Sequence, residues 1–328
     1  MSDLVTKCTV CQAILDEEDL FCANCGTEAP QQSPDGRAAT QQATHNFVCN
    51  GCGASMSYDA SAQTLRCPFC GSDGLEHRAD AKMLRPKYVV PFAVAQQQAE
   101  ASMRAWLGKG FWRPGDLASA AAIHKITPVY VPYWVFAATT HTFWTADTSQ
   151  APAGSRSGWY PVSGEHHGHY EGVLVGGSSA LTPAETAALC PFDLAQGVPA
   201  EQIDLNNVVY EQFVVQRKYA RPQAQSTLEQ WELQACRQYV PGNARNQHVN
   251  VKLTGLTSEP VLVPVYIMAY QYKGQLFRFL VNGQSGQATG QAPFSYRKLF
   301  VIIGIVATVA IGGLVMMGAC GGLATLSR

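Results

Sequence analysis

Apolar and polar residues follow three different patterns along the 328-residue chain. Residues 1–85 are mostly polar and carry pairs of cysteines. Residues 86–296 alternate amphipathic and β-rich stretches, and residues 299–326 contain no charged side chain. These patterns predict an α+β protein of five segments. The segments are two small cysteine-rich units (1–27 and 47–75), a linker between them (28–46), a central domain (86–296) and one apolar helix (299–322).

The central domain is predicted to combine helices with a mixed, largely antiparallel sheet. Apolar residues at helical spacing predict helices at 93–107 and 224–239. Runs of β-branched and aromatic residues predict strands at 89–92, 126–147, 261–272 and 275–281. Pro128 and Pro132 favour an edge position or a late start for the second of these strands, because proline cannot donate a hydrogen bond to a sheet.

Two short motifs recur in the two halves of the central domain. The segment Pro128-Val129-Tyr130-Val131 returns as Pro264-Val265-Tyr266-Ile267, and Pro91-Phe92 returns as Pro191-Phe192. Each half then reads as a Pro-Phe segment, a helix and a Pro-Val-Tyr strand. This order predicts an internal duplication, although chance recurrence of so short a motif stays open.

Eight of the eleven cysteines precede residue 71. Two thiolates separated by two residues hold one side of a tetrahedral ion, and a second such pair closes the other side. The N-terminal segment has no secretory signal, which favours reduced thiols over disulfides. We therefore predict two structural Zn²⁺ ions in two zinc ribbons, each without an open position for catalysis. The ligands are Cys8, Cys11, Cys22 and Cys25 in the first ribbon, and Cys49, Cys52, Cys67 and Cys70 in the second.

Charge argues against nucleic acid as the partner of these ribbons. Residues 1–85 carry six basic and eleven acidic side chains, and each ion held by four thiolates adds further negative charge. Phosphate binding needs the opposite field. The segment 28–46 is polar and almost without large apolar residues, which predicts a flexible linker that lets the two ribbons move independently.

The apolar run near the C-terminus is long enough for a single membrane crossing, with a helix predicted over 299–322. Arg297 and Lys298 precede it, so the positive-inside rule predicts a tail-anchored protein of the inner (cell) membrane with its N-terminal bulk in the cytoplasm. Gly304, Thr308 and Gly312 recur at four-residue steps. Small residues at this spacing favour close helix packing, and hence a homo-oligomer through this helix.

Catalytic motifs are largely missing from the sequence. It contains no phosphate-binding loop, no dinucleotide fingerprint, no nucleophile elbow and no zinc-protease helix. On a strand, His167 and His169 would share a face with Glu165 and Glu171, and such a set could bind a transition metal. A solvated hairpin is the favoured interpretation of this segment. Cys190 and Cys236 are predicted to be small core residues.

Several features follow one another along the chain: the ribbon at 49–70, the Trp-Leu helix end at 106–107, VYVPYW at 129–134, PVY at 264–266, VNGQSG at 281–286 and the terminal helix. Their order resembles that of a group of bacterial zinc-ribbon membrane proteins of unestablished activity, often labelled primosomal helicase-like. The resemblance begins near residue 47 and covers most of the chain from there. It brings no catalytic residues, and the nucleotide-binding loop of a helicase is missing. The first ribbon departs from the single-ribbon pattern of that group.

The sequence thus predicts a membrane-anchored zinc-ribbon protein that is not an enzyme. Its expected role is to scaffold or recruit an unidentified protein partner at the cytoplasmic face of the membrane. One alternative is a membrane-tethered, replication-linked factor associated with nucleic acid. Another is a metal-dependent enzyme that uses the segment from His166 to His169.

Overall fold

A computed structural model describes residues 6–10, 12, 14–15, 40–42, 46–57, 66–77, 82–117, 122–205 and 208–325. The described helices are α1 (Gln96–Leu107), α2 (Pro183–Leu189), α3 (Arg217–Arg237) and α4 (Tyr296–Thr325). The strands before α1 are β1 (Thr6–Lys7), β2 (Ile14–Leu15), β3 (Thr40–Gln42), β4 (Asn46–Cys49), β5 (Ser55–Ser57), β6 (Leu75–His77), β7 (Lys82–Leu84) and β8 (Tyr88–Val89). Those after it are β9 (Ala122–Thr148), β10 (Tyr160–Gly176), β11 (Val198–Pro199), β12 (Tyr210–Glu211), β13 (Ala244–Tyr272), β14 (Gln275–Asn282) and β15 (Ala288–Gly290).

Two long antiparallel strands, β9 and β13, form the middle of the fold. They pair along most of their length, with Val263 opposite Val131. Strand β10 continues the sheet beside β9, and β14 continues it beside β13. Two short parallel pairings, of β12 with β9 and of β8 with β13, make the sheet mixed. The fold is therefore α+β, built on a sheet that reaches eleven strands among the described residues.

The two Pro-Val-Tyr segments lie side by side in this sheet. Tyr130 is opposite Pro264, and Pro128 is opposite Tyr266, so the two copies pair antiparallel with each other. An internal repeat would produce this arrangement, and the duplication itself stays a prediction.

Helices α1 and α3 cover different parts of the sheet. Helix α1 buries Ala99, Met103 and Leu107 in a cluster that includes residues of β13 and β14. Helix α3 buries Ala224 and Leu228 against β9 and β10. Helix α1 thus packs mainly on strands of the C-terminal half, whereas α3 packs on β9, β10 and β13, from both halves of the chain.

Two elements that contain prolines differ from their predictions. Helix α3 begins at Arg217, seven positions before the predicted start, and it contains Pro222 in its second turn. The apolar contacts of this helix with the sheet offset the hydrogen bond that Pro222 cannot make. Strand β9 is central rather than an edge, with β13 on one side and β10 or β12 on the other. Its two prolines flank Tyr130, the one residue that pairs with β12.

The prediction of a transmembrane helix at 299–322 is wrong, and so is the membrane localisation that was inferred from it. No helix in the described part of the chain is long and apolar enough to cross a membrane. Helix α4 begins at Tyr296, so Arg297 and Lys298 lie in its first turn.

A small-residue face is still present on α4. Cβ atoms built at Gly304 and Gly312 would meet no heavy atom within 4 Å, so this face has open space in front of it. Association of two chains through this face stays a prediction. The predicted linker at 28–46 lies almost wholly outside the described residues, as do Cys11, Cys22 and Cys25 of the first ribbon.

Candidate metal centre

The second ribbon is built from two turns of nearly the same shape. In the first, Gly53 N–H donates to the carbonyl of Cys49, and in the second Gly71 N–H donates to that of Cys67, both at 2.8 Å. Gly53 has φ 75° and Gly71 has φ 73°, a left-handed conformation that glycine adopts without strain. Each turn therefore brings its two cysteines to the same side of the chain.

The four sulfur atoms of these turns form one compact cluster. The Sγ atoms of Cys49 and Cys70 are 3.5 Å apart, and those of Cys52 and Cys67 are 3.6 Å apart. All four sulfurs lie within 4.8 Å of one another. A tetrahedral ion with Zn–S bonds of about 2.3 Å would place its sulfurs about 3.8 Å apart. The cluster could therefore bind a metal ion with little rearrangement.

The pKa values of three of these thiols are shifted by burial and by their contacts with one another. A hydrogen bond from Cys67 lowers the pKa of Cys52 to about 5, whereas burial raises the pKa of Cys70 to about 11. The pKa of Cys67 is also raised, first by its hydrogen bond to Cys52 and then by burial. A bound cation would favour the deprotonated form, because metal ions bind the thiolate rather than the thiol.

This ribbon is docked on the body of the protein and does not form a separate, mobile unit. Met56 and Phe69 are almost fully buried in the cluster that contains Val131 and Tyr133 of β9. Strand β5 pairs with β12, which pairs in turn with β9. The expectation of independent movement is therefore wrong for the second ribbon, because its own strands belong to the large sheet.

Glu211 lies behind the ribbon and links it to the body. Its carboxylate is fully buried and accepts hydrogen bonds from the backbone N–H groups of Ser179, at 2.9 Å, and Ala180, at 3.1 Å. The hydroxyl of Ser179 in turn donates to the carbonyl of Gly53, next to a cysteine turn. Burial raises the pKa of Glu211 to about 7. Sequence reasoning missed this residue, since an isolated glutamate carries no motif.

Cys8 represents the first ribbon among the described residues. Val10 N–H donates to its sulfur at 3.4 Å, as Gly51 N–H does to the sulfur of Cys49 at 3.3 Å. Gln12 N–H donates to the carbonyl of Cys8 at 3.1 Å, and Gln12 has φ 59°. The backbone at Cys8 thus has the same turn as the second ribbon. The first four-cysteine site itself stays a prediction.

The histidine-rich segment lies on β10, where its side chains divide between two faces. His167 faces outward and stacks on His141 of β9, with ring centroids 4.2 Å apart. His141 Nε2 lies 3.0 Å from Glu165 Oε2, so these three residues form a surface cluster. His169 pairs instead with Glu171. The predicted set is therefore only partly brought together, and His141 comes from a strand that the sequence did not connect to it.

His166 faces the opposite way, beneath helix α3. Its Nδ1 lies 2.7 Å from Glu232 Oε2, and Cys236 lies one turn further along the helix. Glu232 has no exposed surface and Cys236 is 3% exposed. Burial opposes ionisation of Glu232, but hydrogen bonds from Thr140 and His166 outweigh it and lower the pKa of this carboxyl. Cys236 is buried, and its sulfur lies close to two other metal-binding groups.

Comparison with known proteins gives one relative of similar length. The chain is 25% identical over 314 residues to an uncharacterized protein, YdjG, of Bacillus subtilis (strain 168). The match covers 77% of this chain and 92% of that protein. No family model and no solved structure matches the chain. The similarity to YdjG extends over most of the fold but assigns no activity.

Proposed function

We propose that this protein is a zinc-dependent scaffold that binds protein partners and catalyses no reaction at its ribbon. The observation that carries the proposal is the closed cluster of Cys49, Cys52, Cys67 and Cys70. Four thiolates fill the coordination of a tetrahedral Zn²⁺, so no position remains for water or substrate. An ion held in this way stabilises structure and performs no chemistry.

The place of the cluster in the fold supports a structural role for the ion. Cys49 and Cys67 are 1% and 2% exposed and belong to the same apolar cluster as Phe69 and Leu189. An ion bound there would hold the two cysteine turns in the shape that docks on the sheet. The free energy of metal binding then contributes to the stability of the docked ribbon.

An exposed aromatic group near the start of α4 supports a role in protein contact. Phe111, Trp112, Phe294 and Tyr296 each have more than a third of their surface exposed. The rings of Trp112 and Phe294 stack with centroids 5.4 Å apart, and Ser295 N–H donates to the carbonyl of Trp112 at 2.7 Å. We call these four residues the aromatic patch. Rigid exposed aromatic side chains are typical anchors of protein interfaces.

The proposal is tested by capture of partners from native extract with the zinc-loaded full chain. We expect Trp112→Ala with Phe294→Ala to abolish capture of specific proteins, while the exposed control Phe143→Ala on β9 retains it. Equal capture by all three proteins would contradict the role of the patch. Salt-sensitive binding of the full chain to duplex DNA in a gel-shift assay would favour the nucleic-acid alternative instead.

A further inference from the structure

We propose that His166, Glu232 and Cys236 form a second kind of metal site, which binds one divalent transition-metal ion and prefers zinc. We call it the inner site. It lies between strand β10 and helix α3, on the opposite side of β10 from the surface cluster of His141, Glu165 and His167. It differs from the ribbon cluster in having three ligands instead of four, and in combining a nitrogen, an oxygen and a sulfur donor.

The three donor atoms already lie at nearly the separations that an ion needs. Nδ1 of His166 is 2.7 Å from Oε2 of Glu232, and Sγ of Cys236 is 4.0 Å from the same oxygen. All three donor atoms lie within 4.8 Å of one another. In a tetrahedral zinc site with bonds of 2.0–2.3 Å, neighbouring donors are about 3.3–3.6 Å apart. Small rotations of the side chains would therefore centre an ion among them.

Burial of the carboxylate is the feature that most needs an explanation. Glu232 is 0% exposed between helix α3 and the sheet, and a charged group in such a place is costly unless it is paired or holds a metal. The strand provides room for it, because a Cβ atom at Gly168 would lie 2.5 Å from Oε1 of Glu232. Glycine at this position thus lets the carboxylate reach the plane of the sheet beside His166.

Neighbouring polar groups hold the carboxylate as they do in metal sites. The hydroxyl of Thr140 donates to Oε1 of Glu232, and Gly168 N–H donates to the oxygen of Thr140 at 3.0 Å. Tyr170 adds a further hydrogen bond to the carboxylate. Oε1 is therefore fixed by the protein, and Oε2 is directed at His166. Ligating carboxylates are commonly oriented by such partners.

The donor set decides the class of ion. An imidazole nitrogen, a carboxylate oxygen and a thiolate sulfur together suit a borderline ion such as Zn²⁺ and do not suit Mg²⁺ or Ca²⁺, which take oxygen ligands. Three protein ligands leave one position for water or another small ligand. The His166 side chain is 16% exposed, so an ion can enter from the solvent side of its ring.

The surface cluster fits an ion less well, although it also offers three donors. The side chains of His141 and Glu165 are 33% and 57% exposed. The rings of His141 and His167 stack nearly face to face, and Lys252 is the neighbour of His141 on the adjoining strand. A cationic neighbour and full hydration both weaken cation binding. His167 is therefore a matched control for His166, since it is adjacent in sequence and faces the other way.

The test counts metal ions in the full chain after equilibration with zinc and removal of loosely bound ions. Inductively coupled plasma mass spectrometry gives the ion content, and circular dichroism confirms that each variant is folded. We expect wild type and His167→Ala to hold one more zinc per chain than His166→Ala, Glu232→Gln and Cys236→Ala. Cys236→Ala is the most conservative of these changes because it leaves the buried carboxylate and its partners in place.

Cobalt substitution provides a second readout that depends on ligand identity. The absorption spectrum of Co²⁺-loaded Cys236→Ala should lack one thiolate-to-metal contribution that the wild-type spectrum contains. The spectrum of His167→Ala should match that of wild type. Equal zinc content in wild type, His166→Ala and Cys236→Ala would overturn the proposal and leave Glu232 and His166 as a hydrogen-bonded pair. Loss of the extra ion in His167→Ala alone would overturn it in favour of the surface cluster.

Discussion

The ribbon cluster and the inner site both gather metal-binding atoms, but they do so at different ranges along the chain. In the ribbon, two nearly identical turns each bring a pair of thiols, and Cys49 is 18 positions from its counterpart, Cys67. In the inner site, His166 comes from a strand and Glu232 from a helix, 66 positions apart. Local turns set the geometry of the ribbon cluster, whereas the geometry of the inner site depends on how helix α3 packs on strand β10.

This difference has a consequence for stability. Removal of the ribbon ion would leave four thiols at one edge of the main core, beside buried Phe69 and Met56. Removal of an inner ion would leave Glu232 still paired with His166 and Thr140. The ribbon is therefore expected to depend on its metal for folding, and the inner site to keep its shape without one.

The largest effect is expected from loss of a ribbon ligand. Cys67→Ser removes a buried sulfur ligand, and binding free energies for structural zinc are about 10–16 kcal/mol. We expect loss of one zinc per chain and a fall in melting temperature of more than about 10 °C, since a loss of 1 kcal/mol lowers it by about 2–4 °C in a domain of this size. Zinc analysis with a thermal melt measures both. Cys190→Ser, outside either cluster, should keep the full metal content, and an unchanged zinc content in Cys67→Ser would contradict the assignment.

The next effect tests whether the ribbon is docked. Phe69 is 1% exposed in the shared core, so Phe69→Ala should lower the free energy of unfolding by about 3–5 kcal/mol. Chemical denaturation should show one cooperative transition at lower denaturant. Phe47→Ala, at a partly buried position on the same ribbon, is the control and should lower the free energy of unfolding by a smaller amount. A ribbon that melts separately, with the main transition unmoved, would show that the two parts are independent.

A smaller effect is expected at the inner site. Gly168→Ala places a methyl group 2.5 Å from Oε1 of Glu232, and overpacking of this kind costs about 1–3 kcal/mol. Zinc content at the inner site should fall with it, while the ribbon ion is retained. Gly158→Ala is a suitable control, because its nearest heavy atom would be 3.8 Å away. Equal melting temperatures for the two variants would argue against close approach of Glu232 to the strand.

The smallest effect concerns the link between ribbon and body. The pKa of Glu211 is raised by burial to about 7, from an ordinary value of 4.5, so the folded state retains a proton that the unfolded state releases. The stability contribution of this proton is complete below about pH 4.5 and is lost as the pH rises through 7. Relative to Glu211→Gln, wild type should therefore lose about 2 kcal/mol between pH 5 and pH 8. Parallel pH profiles of both proteins would contradict this.

The sequence predicted the parts of the molecule whose geometry is local. The spacing of Cys49, Cys52, Cys67 and Cys70 indicated a four-thiol cluster, and turns with left-handed glycines produce it. The β-rich stretches and two helices were also placed correctly in outline. Their ends were less accurate, as at Pro222, because packing on the sheet outweighs the local preference of proline.

The inner site could not be predicted, because it depends on a contact between distant segments. His166 was visible as part of a histidine-rich run, but nothing in the run indicates that Glu232 lies above it. Alternation along a strand places His166 and His167 on opposite faces, but it does not show which residues lie opposite each face. For the terminal run at 299–326 the sequence predicted a feature that the structure contradicts, because composition alone suggested a membrane crossing.

The central claim is that Cys49, Cys52, Cys67 and Cys70 hold one tetrahedral ion. Anomalous diffraction at the zinc edge from crystals of the zinc-loaded full chain tests it most directly. The account predicts a strong peak about 2.3 Å from each of the four sulfur atoms. Absence of a peak there, or disulfide bonds between these cysteines, would contradict it.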